Sequence, residues 1–168
     1  MNNIVFEKGN FKIKRAEKED ALTIYELIKG IAEYEKMLDE VVNSPEMIKE
    51  WLFDKKTAET YIGEEDGNPA GFILFFHNYS TFVGRAGIYV EDLFVIPEKR
   101  GKGYGKLLLA FAAHTAVERN CGRMEWTCLN WNKPSLDFYE SIGAVKMTEW
   151  TTHRLAGDTL SNFAKCLK

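Results

Sequence analysis

The sequence has few cysteines, no long apolar run and no N-terminal leader pattern. Its three cysteines, Cys121, Cys128 and Cys166, are odd in number and lack C-x-x-C spacing, which argues against a disulfide framework and against a zinc site. No apolar stretch approaches the length of a membrane span, and the first residues lack the apolar core of a signal peptide. We therefore expect a cytoplasmic protein that has no metal ion and no membrane partner.

The sequence also lacks a strong charge imbalance. Its formal net charge is −3, which argues against a general nucleic-acid-binding protein and makes any basic cluster a local feature. What is present is ordinary for a globular protein, with 45% hydrophobic and 28% charged residues. A chain of 168 residues is large enough to bury a real core, so we expect a single domain over residues 1–168.

A basic, glycine-rich loop follows an apolar strand pattern at residues 93–96, which Pro97 ends. In this loop Gly101, Gly103 and Gly105 alternate with basic and aromatic residues, and an apolar helix pattern begins directly after it. Glycines lack a Cβ atom, so backbone N–H groups can approach a bulky anion. The N-terminus of the helix adds unpaired N–H groups and the positive end of its dipole. The loop is therefore predicted to bind a pyrophosphate or a similar polyanion.

The spacing of this loop excludes two common phosphate-binding motifs. A Walker loop requires Ser or Thr after its Gly-Lys pair, but Leu107 follows Gly105 and Lys106. A dinucleotide fingerprint requires a third glycine where Lys106 stands. Taken alone, the loop is also compatible with a solvated basic turn before an ordinary helix.

The apolar periodicity predicts alternating strands and helices along the rest of the chain. We predict strands near residues 11–15, 60–64, 69–77 and 87–96, with a tight turn at 65–68, and helices from about 21 to 36, from 45 to 53 and from the loop to about 120. Ser44 is the predicted cap of the second helix. This order predicts an α/β fold with a mixed, mostly antiparallel central sheet and helices on both of its faces.

The last third of the chain is predicted to hold three strands and one helix. Met124, Trp126 and Cys128 alternate on one face of a strand that extends towards Trp131. A helix opens at residues 132–135 and ends at Gly143. Two closing strands are expected within residues 145–168, around a turn at residues 156–158.

Several segments resemble the GNAT family of N-acetyltransferases. Residues 100–105 match the Arg/Gln-x-x-Gly-x-Gly/Ala loop with which that family holds the pyrophosphate of coenzyme A. Residues 131–144 resemble the family's last helix, residues 12–20 its N-terminal strand and helix entry, and the strand before the loop the one that pairs with the pantetheine arm. The resemblance implies an acetyl-CoA-dependent N-acetyltransferase. The implied cofactor contacts are Phe94, Val95, Arg100, Gly101, Lys102, Gly103, Tyr104, Gly105, Lys106, Asn132, Ser135 and Phe138.

Within that family the chain most resembles the spermidine/spermine (diamine) acetyltransferases and their thialysine-acetylating relatives. Residues 27–35, 89–95 and 131–135 carry this likeness. It implies a small primary amine as acceptor (a diamine, a polyamine or a lysine-like amino acid) and a homodimer. Residues 80–85 depart from the polyamine enzymes, which have an Asp-Pro-Trp stretch there, and are nearer the thialysine pattern.

Amide formation from a primary amine needs a base, because such an amine is protonated near pH 7. The resemblance assigns this base to Glu91, with Asp92 in reserve because neighbouring strand residues face opposite sides. It assigns Tyr139 as the acid for the leaving thiolate, since a phenol is a competent donor at neutral pH. Backbone N–H groups near Phe94 or Val95 are expected to hold the oxyanion. The expected acceptor contacts are Tyr34, Glu35, Glu91 and Asp92.

Each of these assignments has a structural alternative. Glu91 can be a surface residue, Tyr139 can be part of a packed helix face, and Asn132 can simply cap the last helix. Two other functions also stay open at this point, namely a non-catalytic acyl-CoA-binding sensor and a protein-lysine acetyltransferase.

Overall fold

The structure is a computed structural model that describes residues 3–167. Its contacts divide the chain into two compact units, one ending at Thr127 and one beginning at Cys128. No helix within residues 3–167 has the length and apolar character needed to cross a membrane.

A six-stranded sheet forms the centre of the first unit. Its strands lie side by side in chain order, and every neighbouring pair is antiparallel except the last, which is parallel. The strands are β1 (Ile4–Lys8), β2 (Phe11–Arg15), β3 (Glu59–Glu65), β4 (Asn68–Ser80), β5 (Arg85–Val95) and β6 (Met124–Trp126). The predicted mixed, mostly antiparallel sheet is confirmed, and β1 is an edge strand that the sequence analysis did not include.

The turn between β3 and β4 shows how local sequence sets the register of this sheet. Asp66 and Gly67 both have positive φ angles, of 53° and 78°. Such a pair gives a two-residue turn whose twist matches that of the flanking strands, and Asp-Gly is among the sequences that favour it. The predicted tight turn is confirmed, and it fixes the end of β3 at Glu65.

Helices cover both faces of the sheet, as predicted. They are α1 (Ala21–Tyr34), α2 (Pro45–Ile48), which continues into a π-helical segment (Lys49–Asp54), and α3 (Tyr104–Glu118). The apolar side of α1 packs on strand residues that include Ile62, Phe72 and Phe94. On the opposite face, the ring of Phe111 from α3 lies 4.6 Å from that of Tyr61.

The predicted cap of the second helix is also confirmed. The Ser44 hydroxyl accepts a hydrogen bond from the Met47 backbone N–H at 3.2 Å, and Pro45 lies in the first turn. This cap fixes the start of a helical segment that contributes four side chains to the cavity described below.

The described part of the second unit contains two α-helices, α4 (Lys133–Ser141) and α5 (Gly157–Ala164). Asn132 stands at the N-cap position of α4, and Gly143 follows its end with a φ of 85°, which agrees with the predicted helix. Glycine adopts this left-handed conformation without the strain that a Cβ atom would cause.

Two strand predictions in this part of the chain are wrong. The strand at Met124 ends at Trp126, so Cys128 and Trp131 lie outside it. The chain turns there instead, and the Asn132 N–H donates to the Leu129 carbonyl at 2.9 Å. The alternation of apolar residues therefore extends beyond Trp126, although the strand itself ends there.

The two closing strands expected within residues 145–168 are the second error. In the described part of this segment the regular structure is α5 and a short 3₁₀ turn at 165–167. Leu160, Phe163 and Leu167 recur at intervals of three and four, which is helical spacing, and Asp158 lies in the first turn, where a carboxylate stabilises a helix. This signal was present in the sequence but was interpreted as a turn between strands.

Candidate active site

A β-bulge lies at the centre of the candidate site. Leu74 of β4 is opposite Asp92 of β5, whereas Phe75 is opposite Val90, so that Glu91 is the extra residue. A bulge bends its strand and turns side chains away from strict alternation. Glu91 is exposed, while Asp92 is partly buried on the face of the sheet that α1 covers. The sequence analysis placed both carboxylates here but contained no signal for the bulge.

A cavity of about 340 Å³ borders Asp92 in the first unit. It lies beside α1 and the α2 segment, and its polar lining residues are Asn43 and Asp92. The rest of the lining is apolar and comprises Ile28, Met47, Ile48, Trp51, Leu52 and Leu74. Sequence reasoning missed this apolar wall, although Met47 and Trp51 stand four residues apart on a helical segment and remain partly exposed.

The position of Asp92 changes its acidity. Burial, together with the neighbouring carboxylates of Glu91 and Glu35, raises its pKa to about 6. Burial also raises the pKa of Glu35. A carboxyl group with a pKa this close to neutral can exchange a proton at physiological pH. Three acidic groups near one apolar cavity favour the binding of a cation.

After the bulge, β5 has a strand neighbour on one side only. The parallel strand β6 pairs with residues Ile88 to Val90, so that within residues 3–167 Asp92 to Val95 have a strand partner only in β4. The other edge of this segment, which includes the predicted contacts Phe94 and Val95, is not covered by β6. An extended group with amide hydrogen bonds, such as a pantetheine arm, can pair with an edge of this kind.

The glycine loop has the geometry expected of an anion-binding turn. Gly101 and Gly103 have φ angles of 79° and 83°, and a Cβ atom at either position would meet no other atom within 4 Å. The space beside both glycines is therefore unoccupied, and both adopt a left-handed conformation that glycine allows without strain. It leads directly into the first turn of α3, whose N-terminal N–H groups have no partner inside the helix. These residues fit a pyrophosphate group.

Arg100 connects this loop to the end of α1. Its Nε donates to the Val95 carbonyl at 2.9 Å, and its guanidinium carbon lies 4.5 Å from the ring centroid of Tyr34 and 5.6 Å from that of Phe94. The structure therefore brings together four of the predicted cofactor and acceptor contacts. It also shows that the charged side chain of Arg100 is engaged within the protein by cation–π contacts.

Glu65, at the end of β3, belongs to the site although the sequence analysis assigned it only to a turn. Its buried carboxylate accepts hydrogen bonds from Lys99, Lys102 and Tyr104 of the loop. These donors lower the pKa of Glu65 to about 2. The partners lie more than thirty positions away in the chain, so only the register of the sheet could have revealed them.

The other predicted residues lie in the second unit. Asn132 is buried at the start of α4, and Ser135, Phe138 and Tyr139 are partly buried on that helix. The ring centroids of Phe138 and Tyr139 are 5.5 Å apart. Within residues 3–167 no group of three His, Cys, Asp or Glu side chains has an arrangement that could hold a metal ion.

Comparison with known proteins agrees with this geometry. Residues 21–144 match the family model described as Acetyltransferase (GNAT) family. The chain is 34% identical to thialysine N-epsilon-acetyltransferase of Caenorhabditis elegans over 160 residues, which cover 92% of this chain and 98% of that relative. It is 46% identical to L-ornithine N5-acetyltransferase of Arabidopsis thaliana over 96 residues, which cover 57% of this chain but only 42% of that relative.

A solved structure shows the same fold over nearly the whole chain. An integron cassette protein from the mobile metagenome of V. cholerae superposes with a TM-score of 0.79 and is 26% identical. The match covers 94% of this chain and 99% of that protein.

The raised pKa of Asp92 predicts a pH-dependent cost to stability. Below about pH 4 the carboxyl group is protonated in the folded and the unfolded chain, whereas above about pH 6 it is ionised in both and the fold disfavours the charge. Stability is therefore lost as the pH rises through this window. We expect Asp92→Asn to raise the free energy of unfolding by about 2 kcal/mol at pH 8 and to change it little at pH 4, as measured by urea denaturation.

The matched control is Asp54→Asn, because Asp54 is exposed and pairs with an exposed lysine, Lys18. Such a pair contributes little, so this variant should show no comparable pH-dependent gain. Equal stability of wild type and Asp92→Asn at pH 8 would contradict the buried, charge-disfavouring environment.

Proposed function

The chain belongs to the GNAT acetyltransferase family and is an acetyl-CoA-dependent N-acetyltransferase that acts on a small amine, and we propose that its acceptor is the amino group at the end of a short alkyl or thioether chain, as in a lysine-like amino acid. The expected family, fold and class of enzyme are confirmed. Relatives named for thialysine and ornithine support the proposed acceptor. They give less support to a sensor or to a protein-lysine acetyltransferase.

The cavity beside Asp92 is the observation that carries this proposal. An ammonium group at Asp92 would pair with its carboxylate, and the apolar stem of the acceptor would lie against side chains such as Ile28 and Trp51. A volume of about 340 Å³ is ample for such a molecule, since a cavity of about 150 Å³ already holds benzene. The lining therefore suits one cationic end and one apolar stem.

A polyamine fits this lining less well. A second ammonium group, buried away from water, would need a second carboxylate or several hydrogen-bond acceptors. Asp92 is the one carboxylate among the described lining residues, and the Lys55 Nζ already lies 3.6 Å from the ring centroid of Trp51 on the cavity wall. The residues at 80–85, which depart from the polyamine enzymes, point in the same direction.

We propose Asp92 as the group that removes the proton from the acceptor ammonium. Its support is its partial burial, its place at the cavity and its pKa of about 6. Glu91, which the sequence analysis favoured, is exposed at the bulge, and its charge raises the pKa of Asp92. In this proposal the charge of Glu91 raises the pKa of Asp92 and attracts the ammonium group of the acceptor. The assignment of Glu91 as the base stays a prediction that the experiments below test.

The remaining chemistry follows from the loss of that proton. The free amine attacks the thioester carbonyl carbon, the new C–N bond forms, and the C–S bond breaks to release the thiolate of coenzyme A. The nitrogen loses a second proton as the amide forms, and this proton balances the one that the thiolate takes up, so that the proton donor is restored. We propose that backbone N–H groups near Phe94 or Val95 hold the oxyanion and that Tyr139 gives its phenolic proton to the thiolate. The support for Tyr139 is its match to the family motif and its partly buried position on α4.

A homodimer and a cytoplasmic location are the finer expectations that rest on the resemblance. Light scattering on the purified protein would measure the first, and a mass of one chain, 19.3 kDa, would contradict it.

A panel of amines tests the acceptor class. We expect thialysine, ornithine and lysine to be acetylated with kcat/KM values at least about tenfold above those of spermidine and putrescine. The α-ammonium of an amino acid has its own carboxylate beside it, whereas a second ammonium of a diamine or polyamine would be buried unpaired, at a cost of more than about 1.4 kcal/mol. The measurement is release of free thiol from acetyl-CoA. A preference for spermidine would contradict the proposed acceptor but leave the enzyme class intact.

Two single substitutions separate the roles of the paired carboxylates. Asp92→Asn should lower kcat by about a hundredfold or more near neutral pH, with partial recovery at high pH, where free amine is abundant. Glu91→Gln should keep most of the turnover and move the acidic limb of the pH profile to lower pH, because removal of a like charge lowers the pKa of Asp92. The opposite order of effects would return the role of base to Glu91.

The role of Tyr139 is tested by Tyr139→Phe. The ring and its packing against Phe138 are retained, so coenzyme A should bind almost as tightly as before while kcat falls by roughly tenfold to a hundredfold. Calorimetry and steady-state kinetics measure the two quantities. Wild-type turnover would leave Tyr139 with a packing role only.

A further inference from the structure

We infer that Glu65 is a positioning residue for the cofactor, which holds the glycine loop in the conformation that binds pyrophosphate. This inference rests on the proposed cofactor role of that loop, and it assigns a function to a carboxylate that lies outside the acceptor cavity. Its basis is a set of contacts that join one buried charge to three side chains of the loop.

Glu65 is a fixed point because its backbone is held on both sides. In the sheet register it is paired with Phe11 of β2 and with Asn68 of β4, next to the Asp66 turn. The whole residue is 6% exposed. A carboxylate held in this way has little freedom to move. The loop side chains that bind it must therefore lie where they can reach it.

The three donors bracket the glycine loop. Lys99 precedes Gly101, Lys102 lies between the two left-handed glycines with its Nζ 2.6 Å from a Glu65 oxygen, and Tyr104 opens α3. Hydrogen bonds that involve ions are about twice as strong as neutral ones. Together they limit the freedom of a segment that contains two glycines, which would otherwise sample many conformations.

Tyr104 carries the same constraint into the sheet. Its ring is buried and stacks on that of Phe11, with centroids 4.1 Å apart and an angle of 10° between the planes. Its hydroxyl donates to Glu65, which raises the pKa of the phenol to about 12 and keeps the donor protonated. The first residue of α3 is thus fixed by one stacking contact and one hydrogen bond.

In this arrangement, the groups that hold the loop in place differ from the groups that bind the anion. The charges of Lys99 and Lys102 are directed towards Glu65, and that of Arg100 lies over Tyr34. The backbone N–H groups of the loop and of the N-terminus of α3, together with the exposed Lys106 in the first turn of α3, are then the groups that meet the pyrophosphate. A loop that already has its bound conformation loses less entropy when the cofactor binds. Glu65 therefore acts on cofactor affinity without touching the cofactor.

The experiment compares two acetyl donors in Glu65→Gln, with acetyl-CoA as one and acetyl-pantetheine, which lacks the pyrophosphate and nucleotide, as the other. We expect the Kd of coenzyme A, measured by calorimetry, and the KM of acetyl-CoA to rise by roughly tenfold with kcat nearly unchanged. The kcat/KM of acetyl-pantetheine should stay within about twofold of wild type, because that donor does not use the loop.

Glu64→Gln is the matched control. Glu64 is the neighbouring residue on β3 and pairs with Lys14 at 3.0 Å, so the same chemical change removes an ion pair that does not involve the loop. It should leave both donors near their wild-type values. A second variant, Tyr104→Phe, keeps the ring but removes the donor, and it should weaken coenzyme A binding in a way that is not additive with Glu65→Gln.

Two outcomes would overturn the inference. An equal loss with both donors would show that Glu65 supports only the general fold, and unchanged or tighter coenzyme A binding would show that it competes with the cofactor for the lysines or has no part in binding. Each outcome is distinct from failure of the proposed function, which would appear as the absence of coenzyme A binding and turnover in the wild-type protein.

Discussion

The pairing of β4 with β5 is the constraint on which the candidate site depends. This is the longest ladder of the sheet, and it is interrupted once, where Glu91 is inserted opposite the Leu74–Phe75 step. Just before the bulge, Ile88 to Val90 of β5 pair with both β4 and β6; after it, β4 is the one strand partner found within residues 3–167. The same irregularity therefore lies where Asp92 borders the apolar cavity and where pairing with β6 ends, before Phe94 and Val95.

Two parts of the candidate site, Asp92 and the glycine loop, lower the stability of the folded protein. Asp92 is partly buried next to two other carboxylates, which is unfavourable for the fold but brings the pKa of this carboxyl group close to neutral. The glycine loop costs chain entropy, and the contacts of Glu65 and Arg100 offset part of that cost by fixing the loop to β3, β5 and α1. Functional sites commonly retain such unfavourable features because the surrounding structure supports them.

Local sequence signals predicted most of the fold. The Asp66–Gly67 turn, the Ser44 cap and the glycine-flanked helices each carry their cause within a few residues, and all appear where expected. The wrong strand predictions lie where a periodic pattern of apolar residues is short or fits both a strand and a helix. At Leu160 and Phe163 the helical spacing was interpreted as part of a closing strand, and at Cys128 an alternation continued past the real end of β6.

The site was predictable only in part, for a related reason. The loop and the carboxylate pair are sequence motifs, but the environment of a carboxylate is set by residues that are distant in the chain. Glu65 receives three donors, which stabilise its charge and lower its pKa to about 2, so it remains an anion throughout the physiological range. Asp92 is placed among apolar side chains and like charges, which raise its pKa to about 6. Two acids of similar intrinsic strength thus become a permanent structural charge and a titratable group, and the difference arises from tertiary contacts alone.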